Sequence, residues 1–497
     1  MQCLLGAAVP SVLSVWGEVR SLHRDPGGNG ALAAALASTV DLDRLELVTN
    51  RPDLWRNESC TWANARAAIA DQQQPLSVVV FGGSVTAGCG AAFPSLRCDS
   101  LTSWTRMLHD RLVAELGQRV EVHVWGKNAI RADYFSQCTS EKLPESTHVV
   151  LLELQANLWM RGQRQCPYCA RYLEDVVEHV RRAAPRAAIA LIGWPIAGRH
   201  VPIEPVMRHV AAQKQLDTWF ASSWMHTQKW ADFQKTHNIS HSLHADGVHP
   251  NMLGHALLAN GASRLILERL RETAPCEGVL SVPEPPPKVH EWCYLTADQL
   301  PLKSAGAVRQ HPTHEPVGHH VGNASGGGSG WSLVDEGGSK GVSKLGFLST
   351  SEGGSPLLVG PLPRCSELLL NLGVLQSWRT DFGGLRIRCS GPCTCVGIRP
   401  NDVIETSSTR VAVSSGKIEL ENATITVTHP FRVLYPSYQS DSTGCYLALT
   451  HVAPAHVSPD LRSNVTRVRV DSLAVLAQLG SSLIGREKPS MCATDAR

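Results

Sequence analysis

The chain has 497 residues, more than one ordinary domain holds, and its 43% hydrophobic and 18% charged content are those of a globular protein with a full core, not of a disordered chain. A formal net charge of +2 removes the electrostatic case for nucleic acid or an anionic membrane as partner. Fifteen cysteines, several of them close together (Cys89/Cys98, Cys166/Cys169, Cys389/Cys393/Cys395), and Asn-x-Ser/Thr tripeptides at Asn57, Asn238, Asn323, Asn422 and Asn464 argue for a disulfide-bearing glycoprotein, secreted or held in the lumen of the secretory pathway. The odd total leaves at least one thiol unpaired within the chain, and Cys3 is a candidate.

Residues 1–45 read as leader and spacer: Cys3 to Trp16 is mostly apolar, like the core of a signal peptide, although no Lys or Arg precedes it. No later apolar run reaches the roughly 18 residues that span a bilayer, so no transmembrane segment is expected. From about Glu46 the pattern is α/β. Val78 to Phe81 is a buried strand, and Gly82-Gly83 after it allow a tight turn that delivers Ser84 to the strand's C-terminal edge. Trp104, Leu108, Leu112 and Leu116 share one helix face. Strands follow at Val120–Trp125 and His148–Leu154, the second leading into Gln155-Ala156-Asn157-Leu158.

Cys166-Pro167-Tyr168-Cys169 reads as part of a structural disulfide framework, with a redox motif as the alternative. A helix at about Leu173–Arg182, a strand at Ala187–Trp194 and helical periodicity from Val206 to Trp224 come next. His237, His241 and His244 read as solvated loop histidines, with a metal site as the alternative. They lead into Asp246-Gly247-Val248-His249-Pro250, and a helix from Leu253 to Leu270 closes the domain. Parallel connections of this kind imply a three-layer α/β/α domain over residues 46–275.

Residues 276–330 turn to Pro, Gly, Ser and His and read as a linker, with Cys276 and Cys293 placed to pin it. Residues 331–485 carry short β runs, at Leu368–Leu372, Leu385–Cys389, Lys417–Thr428, Cys445–Val452 and Val465–Val470, which suggest an all-β sandwich or jelly roll before a tail at 486–497. Zinc competes with disulfides at Cys389 to Cys395, but no Cys/His pair follows at finger spacing, which favours disulfides. Trp331 and Trp378 are candidates for stacking on a glycan, with burial in the core as the commoner fate of a tryptophan.

Two stretches carry chemistry. A serine opening a helix at the C-terminal edge of a parallel sheet has backbone N–H groups beside it able to stabilise an oxyanion, and the alternative is a capped glycine turn. An acid three residues before a histidine in a turn, as in Asp246 and His249, is what a general base and its orienting carboxylate require.

Gly82-Gly83-Ser84-Val85-Thr86-Ala87-Gly88 together with Asp246-Gly247-Val248-His249-Pro250 resembles the SGNH (GDSL-like) hydrolases, and the cysteine-bearing β segment looks like the tail of plant and algal secretory members. The resemblance implies a flavodoxin-like α/β domain, a Ser84–His249–Asp246 triad, an oxyanion donor at Asn157, and no metal or cofactor. The chain departs from the family at Gly83, where aspartate is usual, at Gln155 and Leu158 around Asn157, and in the second block, where Gly126 is the only glycine and comes early. The implied activity is hydrolysis of acyl esters, with acetyl the expected group and a carbohydrate or small ester the expected partner. A glycan O-acyltransferase of the same fold and an inactive carbohydrate-binding protein are the alternatives, and the oligomeric state stays open.

Overall fold

The computed structural model describes most of residues 61–272 and, beyond them, the strands between 289 and 478 with part of their turns. Residues 1–45, the asparagines of all five Asn-x-Ser/Thr tripeptides, Cys166, His237, His241, Cys276 and Trp378 lie outside the described residues.

The first part is α/β. Its elements are α1 (Ala63–Ala70), β1 (Leu76–Gly82), α2 (Trp104–Leu116), β2 (Val120–Gly126), a 3-10 turn at Ala132–Ser136, β3 (Thr147–Glu153), a one-turn α3 (Gln155–Leu158), α4 (Cys169–Ala183), β4 (Ala188–Gly193), α5 (Ile203–Lys214), β5 (Asp217–Phe220), a short α6 (Ala221–Met225) and α7 (Met252–Arg271). The strands are all parallel, in the order β2-β1-β3-β4-β5. Every residue of β1, β3 and β4 is buried, which is why these segments read as unbroken apolar runs rather than alternating ones.

Alternation instead divides two cores. Val78, Val80, Val149 and Leu151 face Trp104, Leu108 and Leu112 of α2 and Leu257, Leu258 and Ile266 of α7. Val79, Phe81, Val150 and Leu152 face Leu173, Val176, Val177 and Val180 of α4 and Met207 and Val210 of α5. Helices thus cover both faces of a flavodoxin-like sheet, as expected.

The stretch of helical periodicity from Val206 to Trp224 holds α5, β5 and α6. Gln215, at φ 53°, stops α5 in a left-handed turn, and the four residues of β5 are too few to interrupt a helical pattern visibly. Asp217 on β5 is buried but well supplied with donors: the Trp62 indole N–H at 2.5 Å and the Arg269 Nε at 2.9 Å, so one carboxylate ties together β5, α7 and the turn before α1.

The later part is antiparallel. Strands β6 (Val289–Cys293), β7 (Trp331–Asp335), β8 (Leu345–Ser349), β9 (Leu357–Leu362), β10 (Glu367–Ser377), β11 (Gly384–Ser390), β12 (Thr394–Val396), β13 (Val403–Glu405), β14 (Val411–Ser414), β15 (Lys417–Leu420), β16 (Thr424–Leu434), β17 (Cys445–Val452) and β18 (Val468–Gln478) form a seven-stranded sheet around β10 and β18, a four-stranded sheet β13-β11-β17-β9, and the hairpin β14-β15. Leu368, Leu370, Leu372 and Val374 of β10 share one core with Leu385 and Ile387 of β11 and Leu447 and Leu449 of β17, so the inner faces of the two larger sheets pack as a sandwich.

Val289–Cys293 falls in the stretch read as a linker yet pairs with β18, and Lys417–Thr428 is two strands rather than one. Trp331 is 5% exposed and belongs to the core, which ends its candidacy as a glycan platform. Disulfides join Cys389 to Cys395 and Cys393 to Cys445. The Cys389, Cys393 and Cys445 sulfurs lie within 4.8 Å of one another, and the pairing occupies them in covalent bonds rather than as free thiolates for zinc.

Where α7 crosses β5, a Cβ on Gly261 would stand 1.9 Å from the Trp219 ring. Alanine gains about 1 kcal/mol over glycine in a helix, but overpacking of this kind costs about 1–3 kcal/mol. Gly261→Ala is therefore expected to lower the thermal midpoint by a few degrees, as read by calorimetry; a raised midpoint would show that the crossing yields.

Candidate active site

Ser84 stands where β1 runs out. The chain leaves Gly82 in a helical turn, with the Ala87 N–H donating to the Gly83 carbonyl at 2.9 Å and the Cys89 N–H to the Ser84 carbonyl at 2.9 Å. Because β2 and β3 lie on opposite sides of β1, the turn sits at the point where strand order reverses, beside the C-terminal ends of the strands.

The packing there leaves no room for side chains at three glycines. A Cβ on Gly83 would be 2.2 Å from the Asn157 amide, one on Gly82 1.9 Å from Thr86 Oγ1, and one on Gly126 2.7 Å from the Ala87 N. The departure from aspartate at position 83 thus has a steric cause: Asn157 fills the space a side chain would need. Gly126, the last residue of β2 and paired in register with Gly82, underlies the Thr86–Ala87 backbone, while residues 127–131 of the second block lie outside the described residues.

The base comes from the loop before α7. Pairing of the Asn251 N–H with the Leu243 carbonyl (2.8 Å) and of the Ala245 N–H with the His249 carbonyl (2.7 Å) closes it as a tight excursion. Gly247, at φ 85°, supplies its left-handed residue. One oxygen of Asp246 accepts from the Val248 and His249 N–H groups at 3.0 and 2.8 Å, and the other accepts from His249 Nδ1 at 2.7 Å. His249 Nε2 then lies 2.7 Å from Ser84 Oγ, across 165 residues of sequence. With Nδ1–H committed to Asp246, Nε2 presents its lone pair to the serine hydroxyl.

Partial burial pushes the Asp246 carboxyl up, but the imidazole and backbone hydrogen bonds from His249, its charge, and the Val248 N–H hold it well below the usual carboxylate range. It stays ionised wherever the imidazole is neutral. The His249 and Asp246 side chains are 21% and 28% exposed, so the pair opens to solvent at the sheet's edge.

Asn157, in α3 directly after β3, is buried against Gly83 and so adjoins the nucleophile. The four residues expected from the sequence are therefore brought together: Ser84, His249 and Asp246 in one hydrogen-bonded chain, with Asn157 beside them.

Other contributors were not foreseen. Gly90, at φ 88°, packs beneath His249, since a Cβ there would be 2.9 Å from that of His249. Cys89 is joined to Cys98, and its carbonyl accepts from His255 Nε2 at 3.2 Å, while His255 Nδ1 accepts from the Trp104 N–H at 3.2 Å. Full burial and the nearby His249 push His255 down to about 3 against the Cys89 hydrogen bond, so it is a neutral strut between α7, α2 and the disulfide loop. The reading of His244 as solvated is corrected: its Nε2–H donates to the Pro195 carbonyl at 2.6 Å and its ring packs 4.9 Å from that of Trp194. Cys169 is buried at the start of α4 and disulfide-bonded, in keeping with a structural role.

Residues 80–257 match the GDSL-like Lipase/Acylhydrolase family. No curated protein sequence matches the chain. Similar solved structures include a two-domain esterase active on acetylated mannans, 12% identical over 82% of this chain and 92% of that one, with a TM-score of 0.44. Another is a family two carbohydrate esterase from Clostridium thermocellum in complex with cellohexaose, 14% identical over 40% of this chain and 66% of that one, TM-score 0.30. A member of the lipolytic G-D-S-L family from Veillonella parvula is 15% identical over 38% of this chain and 97% of its own, TM-score 0.29. By the family match, residues 80–257 of this chain form a GDSL-like lipase/acylhydrolase domain.

Proposed function

We propose that the α/β domain is a serine esterase that removes acyl groups, acetyl foremost, from carbohydrate. The observation that carries this reading is the unbroken chain from Ser84 Oγ through the His249 ring to Asp246, with both links at 2.7 Å. Ser84 Oγ attacks the ester carbonyl as its proton passes to His249 Nε2, while Asp246 holds the tautomer and stabilises the imidazolium. The Ser84 N–H and the Asn157 amide stabilise the oxyanion. Collapse expels the sugar alcohol, which takes the proton from His249, and a water activated by the same nitrogen releases the acid and restores Ser84.

Two features support a polymeric carbohydrate substrate. The acid–base pair is open to solvent, which suits an acyl group carried on a large hydrophilic chain rather than a small molecule engulfed whole. Fifteen cysteines, disulfides and five glycosylation tripeptides fit a secreted or lumenal protein, where acylated glycans occur.

Fluorophosphonate labelling is expected to place the adduct on Ser84 by peptide mass, to vanish in Ser84→Ala, and to slow by about 10²-fold or more in His249→Ala. A folded wild-type protein that takes no label would favour the inactive carbohydrate-binding alternative.

Asp246→Asn should keep the loop's shape yet lower kcat by about 10³- to 10⁴-fold on an aryl acetate, because the imidazolium loses its counter-charge. Since the folded state depresses the Asp246 pKa, its contribution to stability is complete above the ordinary value of 3.8 and is lost as pH falls below it. The difference in thermal midpoint between wild type and Asp246→Asn should therefore be largest near neutrality and shrink below about pH 4; a constant difference would assign it to packing.

A further inference from the structure

One carboxyl group has no part in the proposed chemistry. Glu153 ends β3, opposite Gly82 in register, in a strand otherwise made of Thr147, His148, Val149, Val150, Leu151 and Leu152. It is wholly buried, and among the described residues its Oε1 has no hydrogen-bond partner. Its Oε2 accepts from Thr86 Oγ1 at 3.1 Å.

Thr86 is two residues beyond Ser84 in the turn that the Ala87–Gly83 hydrogen bond closes. Its side chain lies over Gly82, where a Cβ would be 1.9 Å from its hydroxyl. One carboxyl thus holds the turn through the Thr86 hydroxyl, from the sheet side, while His249 meets Ser84 from the more exposed side.

We propose that Glu153, acting through Thr86, is a positioning residue that sets Ser84 Oγ against His249 Nε2. The proposal rests on the esterase reading above. Burial pushes the Glu153 carboxyl up to about 8, against hydrogen bonding from Thr86, so the group is a neutral acid at pH 7. A neutral acid keeps a carbonyl oxygen to accept from Thr86 without placing an unpaired charge in the core. An apolar residue would bury more cheaply but would release the turn, and displacements of about 1 Å at a nucleophile cost about 10²-fold in rate.

Gln is the isostere of the protonated acid, keeping the carbonyl acceptor, and Leu has similar bulk without it. The test is kcat and KM for an aryl acetate, with fluorophosphonate labelling of Ser84, in wild type, E153L, E153Q, T86V and E153L/T86V, each checked for folding by circular dichroism and thermal midpoint. Expected is a fall in kcat of tenfold or more in E153L with KM within about twofold, recovery in E153Q to within about threefold of wild type, a smaller fall in T86V, and a double variant no worse than E153L. A folded E153L with wild-type kcat overturns the proposal. So does a T86V of undiminished kcat, which decides the matter if E153L does not fold. If the wild type neither turns over ester nor takes label, the esterase reading itself fails and this proposal with it; activity in the wild type with no effect of the substitutions sinks the positioning role alone.

Discussion

The backbone of the Ser84 turn lies so close to the ends of β2 and β3 that no methyl group fits between them. Cβ atoms at Gly82, Gly83 and Gly126 would come within 3 Å of Thr86, Asn157 and Ala87. That closeness brings Asn157 beside the serine, Thr86 over the carboxyl of Glu153, and the Ser84 hydroxyl within 2.7 Å of a histidine delivered from the far end of the domain. It needs a parallel sheet whose order reverses at β1, because only there do two strands end on either side of the turn without a helix between them.

Around this turn two carboxyl groups meet opposite fates. Asp246 is partly exposed and accepts hydrogen bonds from Val248 and His249, so it remains a charge that imidazolium formation can use. Glu153 is sealed in the sheet and meets one threonine, so it is held as an acid. The difference comes from solvent and donor number rather than from the side chains, which are chemically near-identical. His249 and His255 form a second such pair six residues apart: one faces the site edge, the other is locked between a carbonyl and an N–H and kept neutral.

The β sandwich is stabilised differently. In β17 inward and outward side chains alternate strictly, so that strand gives half its side chains to the core it shares with β10 and β11. Disulfides from Cys389 and Cys393 fasten the β11–β12 turn to itself and to β17. The α/β domain relies instead on strands buried on both faces, and its Cys89–Cys98 bridge lies beside the site, where it braces the segment under His249.

Much of this was legible in the residues alone. Buried strands announce themselves as apolar runs, long helices as 3.6-residue periodicity, and a nucleophile and its base as short motifs whose members are neighbours in the chain; these local signals led to the sheet, to α2, α4 and α7, and to Ser84, Asp246 and His249, while Asn157 came from the family resemblance. What only the tertiary structure decided are matters of contact between distant segments. Strand β5 was hidden because four residues and one positive φ leave no pattern, and His244 passed for a solvated residue because Trp194 and Pro195 lie some fifty positions away. Glycine at 83 looked like a lost aspartate until Asn157 was seen to occupy its space. Nothing in the sequence singled out Glu153, since neither burial nor a partner 67 residues distant is written in its neighbours, and a carboxyl group becomes an acid, a counter-charge or an anchor only through what the fold packs around it.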